Sequence, residues 1–197
     1  MRFLSKLKIR EFTGKTCLLR VDFNVENVKD SLRLKNSLPT IKFLLRRGNK
    51  IVFLSHRGRP DKRDGALSLK FVIPFLEKNL KKTVIFLKEI PSKLPPGKIY
   101  LIENLRFWPG EEADDSIFSK KLARLGDFYV NDAFAVSHRK NASITQLPKL
   151  LPSYAGFLLE KEAQTLSKAM SHSAKPLVVI FGGAKVENKI EAIKNLS

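Results

Sequence analysis

Apolar residues in this sequence come as short runs rich in β-branched and aromatic side chains, separated by longer stretches in which they recur every three or four positions. The short runs read as strands and the longer spacing as amphipathic helix. TCLLRVDF (16–23), KIVFLS (50–55), TVIFL (83–87), KIYLIEN (98–104) and DFYVND (127–132) are the expected strands. Between the first two, Leu34, Leu38, Ile41, Leu44 and Leu45 fall on one helical face that Gly48 should end. A helix over 68–80 would be capped by Ser68 but carries Pro74 awkwardly inside it, and 115–125 reads as a helix stopped by Gly126. A polar helix over 160–171 precedes a last strand, Gly-rich turn and helix over 176–196. Strands alternating with helices predict an α/β fold, a mainly parallel open sheet with helices on both faces in a Rossmann-like three-layer arrangement.

Composition narrows the class. With 197 residues, 43% of them apolar and 28% charged, the chain can bury an ordinary core and is not of disordered composition. A single cysteine, Cys17, excludes internal disulfides and multi-thiolate metal sites, and its place in a strand reads as a small buried hydrophobe. No apolar run approaches a membrane-spanning length, so the expectation is a soluble cytoplasmic protein with no membrane partner. The net charge of +18 changes the picture most. Residues 1–63 hold 17 basic and 5 acidic residues, which calls for an anionic partner. Nucleic acid is one such partner, but no zinc-finger spacing, basic zipper or aromatic RNA-binding signature accompanies the charge.

In open α/β sheets ligands bind beyond the carboxyl ends of the strands. The residues there are Asp22 and Asn24 after the first strand and Ser55, His56 and Arg59 after the second. Glu103, Asn104 and Arg106 follow the fourth, and Asn131, Asp132, His138 and Arg139 the fifth. Arg33, at the start of the first helix, could join them. One arginine after a strand is ordinarily a solvated loop residue, whereas several converging guanidiniums, with two imidazoles and few carboxylates, suit a small multiply charged anion. Asp22 and Asn24 add an acceptor and an amide able to bind hydroxyls, so the expected ligand is a small phosphorylated hydroxy acid. Glu111, Glu112, Asp114 and Asp115 read as helix-dipole partners rather than acid–base or metal residues. No Walker motif is present, and FGGAK (181–185), opening a helix after a strand, is a weak phosphate-binding signal alone.

Seven segments, LRVDFNV (19–25), RLKNSLPTI (33–41), SHRGRP (55–60), IENLRF (102–107), YVNDAFAVSHR (129–139), AGFLLEKE (155–162) and FGGAKVENKI (181–190), resemble phosphoglycerate kinase in the family's order. The resemblance implies the N-terminal domain of that fold and reversible phosphoryl transfer between ATP and 3-phosphoglycerate, giving ADP and 1,3-bisphosphoglycerate, with Mg²⁺ accompanying the nucleotide. It implies an acid site of Asp22, Phe23, Asn24, Arg33, His56, Arg59, Arg106 and Arg139, with Arg33 nearest the transferred group. Gly182, Gly183, Lys185 and Lys189 would meet the nucleotide phosphates, the two lysines acting in catalysis with Arg33; no metal ligand is expected in this chain, most nucleotide and metal contacts being expected in the C-terminal half that it lacks.

The same resemblance divides the chain into an acid-binding domain (1–157), an interdomain helix and hinge (158–174) and the first βα unit of a nucleotide domain (175–197). Family members are about twice as long and typically monomeric. This chain is therefore expected to transfer phosphate poorly alone and to accept a complementary C-terminal half. Departures from the pattern are Val25-Glu26-Asn27 in place of a proline-led loop, Ala135-Val136-Ser137 in place of a glycine-led turn, and Asn141 where a second histidine is usual. A non-catalytic binding module for phosphorylated acids and a basic nucleic-acid binder are the alternatives.

Overall fold

The computed structural model describes residues 2–8, 12–29 and 32–171. Six strands, β1 (Thr16–Arg20), β2 (Lys50–Leu54), β3 (Ile85–Leu87), β4 (Ile99–Ile102), β5 (Phe128–Asn131) and β6 (Ser153–Ala155), form one sheet in the order β3-β4-β2-β1-β5-β6. Every pairing is parallel, with Leu18 opposite Val52 in β2 and opposite Tyr129 in β5. The helices are α1 (Leu32–Arg46), α2 (Ile73–Leu80), α3 (Pro109–Glu112), α4 (Ser116–Ala123), α5 (Ala142–Thr145), α6 (Leu147–Leu150) and α7 (Phe157–Ser171).

The strands are continuous apolar runs because both faces of a parallel sheet are covered. Cys17, Leu19, Ile51, Phe53, Ile99, Leu101, Phe128 and Val130 lie in one buried cluster with Leu34, Ile41 and Leu44 of α1 and Leu76 of α2. The alternate residues Leu18, Val52, Leu54, Tyr100, Ile102 and Tyr129 lie in the other, with Phe118 and Leu122 of α4 and Leu147 of α6. The period-two alternation along each strand thus sorts its side chains into two cores, one on each face. Full burial of one such Leu or Phe contributes about 1.5–3 kcal/mol.

Several elements differ from the sequence expectation for local reasons. β1 stops at Arg20, although the chain stays bonded to the sheet through the Val21 N–H and the Leu54 carbonyl (3.0 Å). On α1 the fully buried polar positions are Ser37 and Thr40, while Leu38 and Leu45 are only half-buried. The Ser37 hydroxyl donates to the Leu34 carbonyl (2.8 Å), which satisfies it without leaving the helix. The helix expected over 68–80 divides in two. Ser68 caps a 3₁₀ turn, Leu69–Val72, and Pro74 sits in the first turn of α2, where a missing N–H costs nothing. Asp115 caps α4 by accepting from the Ile117 N–H (2.6 Å). β6 and the short helices α3, α5 and α6 lack a periodic signal, since three or four residues are too few to show one. The strand, Gly-rich turn and helix expected over 176–196 lie outside the described residues.

α7 begins at Phe157, three residues before the expected start, because its cap comes from another strand. Asp132, just past β5, accepts the Leu158 and Leu159 N–H groups (2.9 and 3.3 Å). Gly156 lets the chain pass close to that carboxylate; a Cβ there would collide with it. By Cα proximity the chain divides into a unit Met1–Glu160 and a unit Lys161–Ser197. No helix among the described residues is long and apolar enough to cross a membrane.

Candidate anion-binding site

β1 is the strand from which the chain departs in both directions, to β2 and β4 on one side and to β5 on the other, so the loops after these four central strands meet over a topological switch point. After β1, the Asp22 carboxylate accepts the Asn24 N–H (3.0 Å) in an Asx turn, while its other oxygen pairs with Arg33 Nη1 at 3.2 Å. The same Nη1 donates to the Asn24 carbonyl (3.0 Å), so Arg33 is held by both residues of the loop. Arg33 occupies the first turn of α1, which contains no acid, and adds its charge to the positive end of the helix.

The loop after β2 is fastened to the first by Asn24, whose Oδ1 accepts the Gly58 N–H (2.9 Å). Gly58 has φ of +61°, and a Cβ there would lie 2.8 Å from Leu67, so a glycine suits the position on both counts. Its carbonyl accepts from Arg106 Nη1, whose Nε pairs with Glu112 at 3.2 Å. Burial pulls the Arg106 pKa below its ordinary value, as do the guanidiniums of Arg139, Arg20 and Arg59; Glu112 opposes them.

Asn104 is buried and holds the frame. Its Oδ1 accepts the Arg57 and Arg106 N–H groups (3.1 and 3.2 Å), and its Nδ2 donates to the Arg57 and Leu67 carbonyls (2.7 and 3.0 Å). Glu103, also buried, accepts from the Ser68 hydroxyl and from the Leu69 and Asn104 N–H groups, each at 2.8 Å.

Asp22, Asn24, Arg33, His56, Gly58, Arg59, Arg106, Ala135, Val136 and Arg139 line a single cleft of about 320 Å³. Seven of the eight expected acid-site residues are among them. The eighth, Phe23, is fully buried, its ring 5.6 Å from that of Phe53, and its N–H donates to Ser55 Oγ (2.9 Å). Phe23 therefore supports the loop from the core. His138 is exposed and does not line the cleft, leaving one imidazole there. His56 is 2% exposed; burial, reinforced by Arg20, Arg106, Arg139 and Arg33, drives its pKa down to about 2, so the ring is neutral. The cleft therefore offers four guanidiniums against one carboxylate, itself paired with Arg33. A broader depression of about 770 Å³ adjoins it through Asn24, Arg33 and Gly58, but among the described residues Arg57 is the only other guanidinium on its wall, beside Val25, Leu32, Leu67 and Glu26. The smaller cleft is the stronger candidate for an anion.

Three residues that the strand-end reading did not select stand behind it. Arg20, 2% exposed, donates from Nε to Ser143 Oγ (3.1 Å), from Nη1 to the Val21 carbonyl (2.7 Å) and from Nη2 to His56 Nδ1 (3.2 Å). Ser143 in turn gives its hydroxyl and its N–H to Glu111 (2.6 and 3.0 Å). Glu111 lies in the first turn of α3, as its reading as a helix-dipole partner expects, but is also fully buried; burial raises its pKa, against Arg20 and the Ser143 bonds. An arginine inside a strand and a serine in a short helix carry no sequence mark of a site. Asn141 caps α5, its carbonyl accepting the Ile144 and Thr145 N–H groups (2.8 and 2.9 Å), and it does not line the cleft.

The phosphoglycerate kinase family model matches residues 7–197. The chain belongs to the phosphoglycerate kinase family. Among curated relatives, the phosphoglycerate kinase of Wolbachia pipientis wMel is 47% identical over 196 residues, covering 93% of this chain and 49% of that protein. The enzyme of Coprothermobacter proteolyticus is 40% identical, covering 98% of this chain and 53% of that protein. The solved phosphoglycerate kinase of Coxiella burnetii superposes with a TM-score of 0.86 at 33% identity, over 98% of this chain and 51% of that one. The chain thus spans about half the length of the relatives it matches. Gly182, Gly183, Lys185 and Lys189 lie outside the described residues. Among the described residues, no cluster of three or more His, Cys, Asp or Glu could hold a metal ion.

Proposed function

We propose that this chain supplies the 3-phosphoglycerate-binding half of a phosphoglycerate kinase, in which phosphate passes reversibly between ATP and 3-phosphoglycerate to give ADP and 1,3-bisphosphoglycerate. The observation that carries the reading is the gathering of Arg33, Arg59, Arg106 and Arg139, with neutral His56, around one cleft of metabolite size. Guanidinium forks match phosphate and carboxylate oxygens, and Asn24 and Asp22 are assigned to a hydroxyl. Such a site holds a three-carbon phosphorylated acid by both ends.

The acceptor is a carboxylate, already a nucleophile, so no general base is needed and the task is positioning with charge neutralisation. Arg33, more than half exposed and tethered by one nitrogen, is assigned to the phosphoryl group in flight. A transition-state arginine of this kind accelerates transfer by roughly 10³–10⁵. ATP with Mg²⁺ supplies the phosphoryl group; Gly182, Gly183, Lys185 and Lys189 are assigned to its phosphates, and the described residues act on the acid.

Calorimetry with 3-phosphoglycerate tests the reading. Arg33→Ala and Arg139→Ala should each weaken binding by roughly 10- to 100-fold, the loss of one charge-assisted contact of about 1.5–3 kcal/mol. Unchanged affinity in both would overturn it. So would tight, salt-sensitive binding of duplex or single-stranded nucleic acid unaffected by the pair Arg59→Ala and Arg106→Ala.

A further inference from the structure

We propose that Arg20 is a positioning residue that locks His56 in the Nε2–H tautomer, so that the ring presents a neutral hydrogen-bond donor to the acid in the cleft. The inference rests on the function proposed above for the identity of the acid, but the tautomer stands on contacts inside the protein. A guanidinium has five N–H donors and no acceptor. Where Arg20 Nη2 lies 3.2 Å from His56 Nδ1, the guanidinium must donate and Nδ1 must accept. A neutral imidazole with Nδ1 as acceptor carries its proton on Nε2. Since His56 lines the cleft and Nδ1 is turned to Arg20, Nε2–H is the donor left for a ligand oxygen.

Arg20 is itself fixed, which makes the lock rigid. Its three donating nitrogens reach three different acceptors, Ser143 Oγ, the Val21 carbonyl and His56 Nδ1, each on a separate element or turn. Ser143 Oγ accepts from Arg20 and donates onward to Glu111, so a single hydroxyl links the buried cation to the buried acid. Removing the guanidinium would free the imidazole to adopt either tautomer, and would take from Glu111 the stronger of the two cationic influences on it, leaving that of Arg106.

The charged surroundings agree. His56 faces Arg20 from β1, Arg33 from α1, Arg106 from the turn after β4 and Arg139 from the loop after β5, with Asp22 on the same cleft wall. An imidazolium would add another cation to a site already carrying four. A neutral donor adds a hydrogen bond without that repulsion, and its strength does not change with pH.

Long-range ¹H–¹⁵N NMR of the imidazole nitrogens in the 197-residue chain reads the tautomer directly, with His56 assigned by comparison with His138→Gln and His172→Gln. The expected result is a single Nε2–H form that does not titrate between about pH 5.5 and 8, the range in which an ordinary histidine does. Arg20→Met should mix the two tautomers and weaken 3-phosphoglycerate binding at pH 8 by roughly 5- to 10-fold, whereas Arg20→Lys, which keeps a cationic donor, should recover most of the single form. A wild-type His56 carrying its proton on Nδ1, or titrating within that window, overturns the proposal even if Arg20→Met fails to fold. So does a folded Arg20→Met chain in which His56 remains wholly Nε2–H. A locked tautomer in a chain that does not bind 3-phosphoglycerate would sink the assigned substrate and leave the lock standing.

Discussion

Asn104 shows how much of the cleft depends on residues that never face it. Four backbone groups from two loops converge on its amide, and they place Arg57 and Arg106. Asn104→Ala would leave buried N–H and carbonyl groups unpaired at about 1–3 kcal/mol each, partly relieved by water, so the expected loss of stability is about 2–4 kcal/mol. Urea unfolding measures it, and a change below about 0.5 kcal/mol would mean the loops hold without the amide. Position after a strand singles out Asn104 and Glu103 together with Arg106, because place in sequence does not tell a side chain that binds ligand from one that binds the loop. It passes over Arg20 and Ser143 for the complementary reason. Their role appears only when β1, β2 and α5 are brought together, through contacts separated by 36 and 123 positions in sequence.

At the scale of elements, Asp132 joins β5 to α7 and responds to pH. Burial raises its pKa from 3.8 to about 6, against the pull of Thr40 and the Leu159 and Leu158 N–H groups. A raised carboxyl pKa means that the folded state holds the proton more tightly than the unfolded chain, so this group's contribution is fully present below about pH 4 and is lost as pH rises through 6. The span corresponds to on the order of 3 kcal/mol. Asp132→Asn keeps an acceptor for α7 and removes the titration. The stability of the wild type relative to that variant should fall between about pH 4 and 6 and be level above 7; a difference independent of pH would contradict the assignment. The remote cap also explains why the start of α7 was misplaced by local reading, since a carboxylate 26 positions upstream supplies what a neighbouring Ser or Asp would otherwise give. The strands were legible because two-sided burial writes itself as unbroken apolar runs. β6 was not, because three residues beside Pro152 give too short a signal.

Across the whole molecule, a net charge of +18 indicated an anionic partner without distinguishing a polymer from a metabolite. The proposed function favours the metabolite, since four guanidiniums share about 320 Å³ at the switch point of the sheet. A small acid engages far fewer charges than a phosphate backbone does, so its binding should lose less affinity with added salt than a phosphate-backbone complex would. Comparing 3-phosphoglycerate binding at about 0.05 and 0.2 M salt checks this; a fall approaching 10³-fold would mark a polyanion site instead. The most direct measurement is calorimetric titration of the chain with 3-phosphoglycerate, beside Arg33→Ala, Arg106→Ala and Arg139→Ala. The account predicts one acid bound per chain, with affinity reduced roughly 10- to 100-fold in each variant while the fold persists. Binding that survives all three substitutions, or no binding by the wild type, would contradict it.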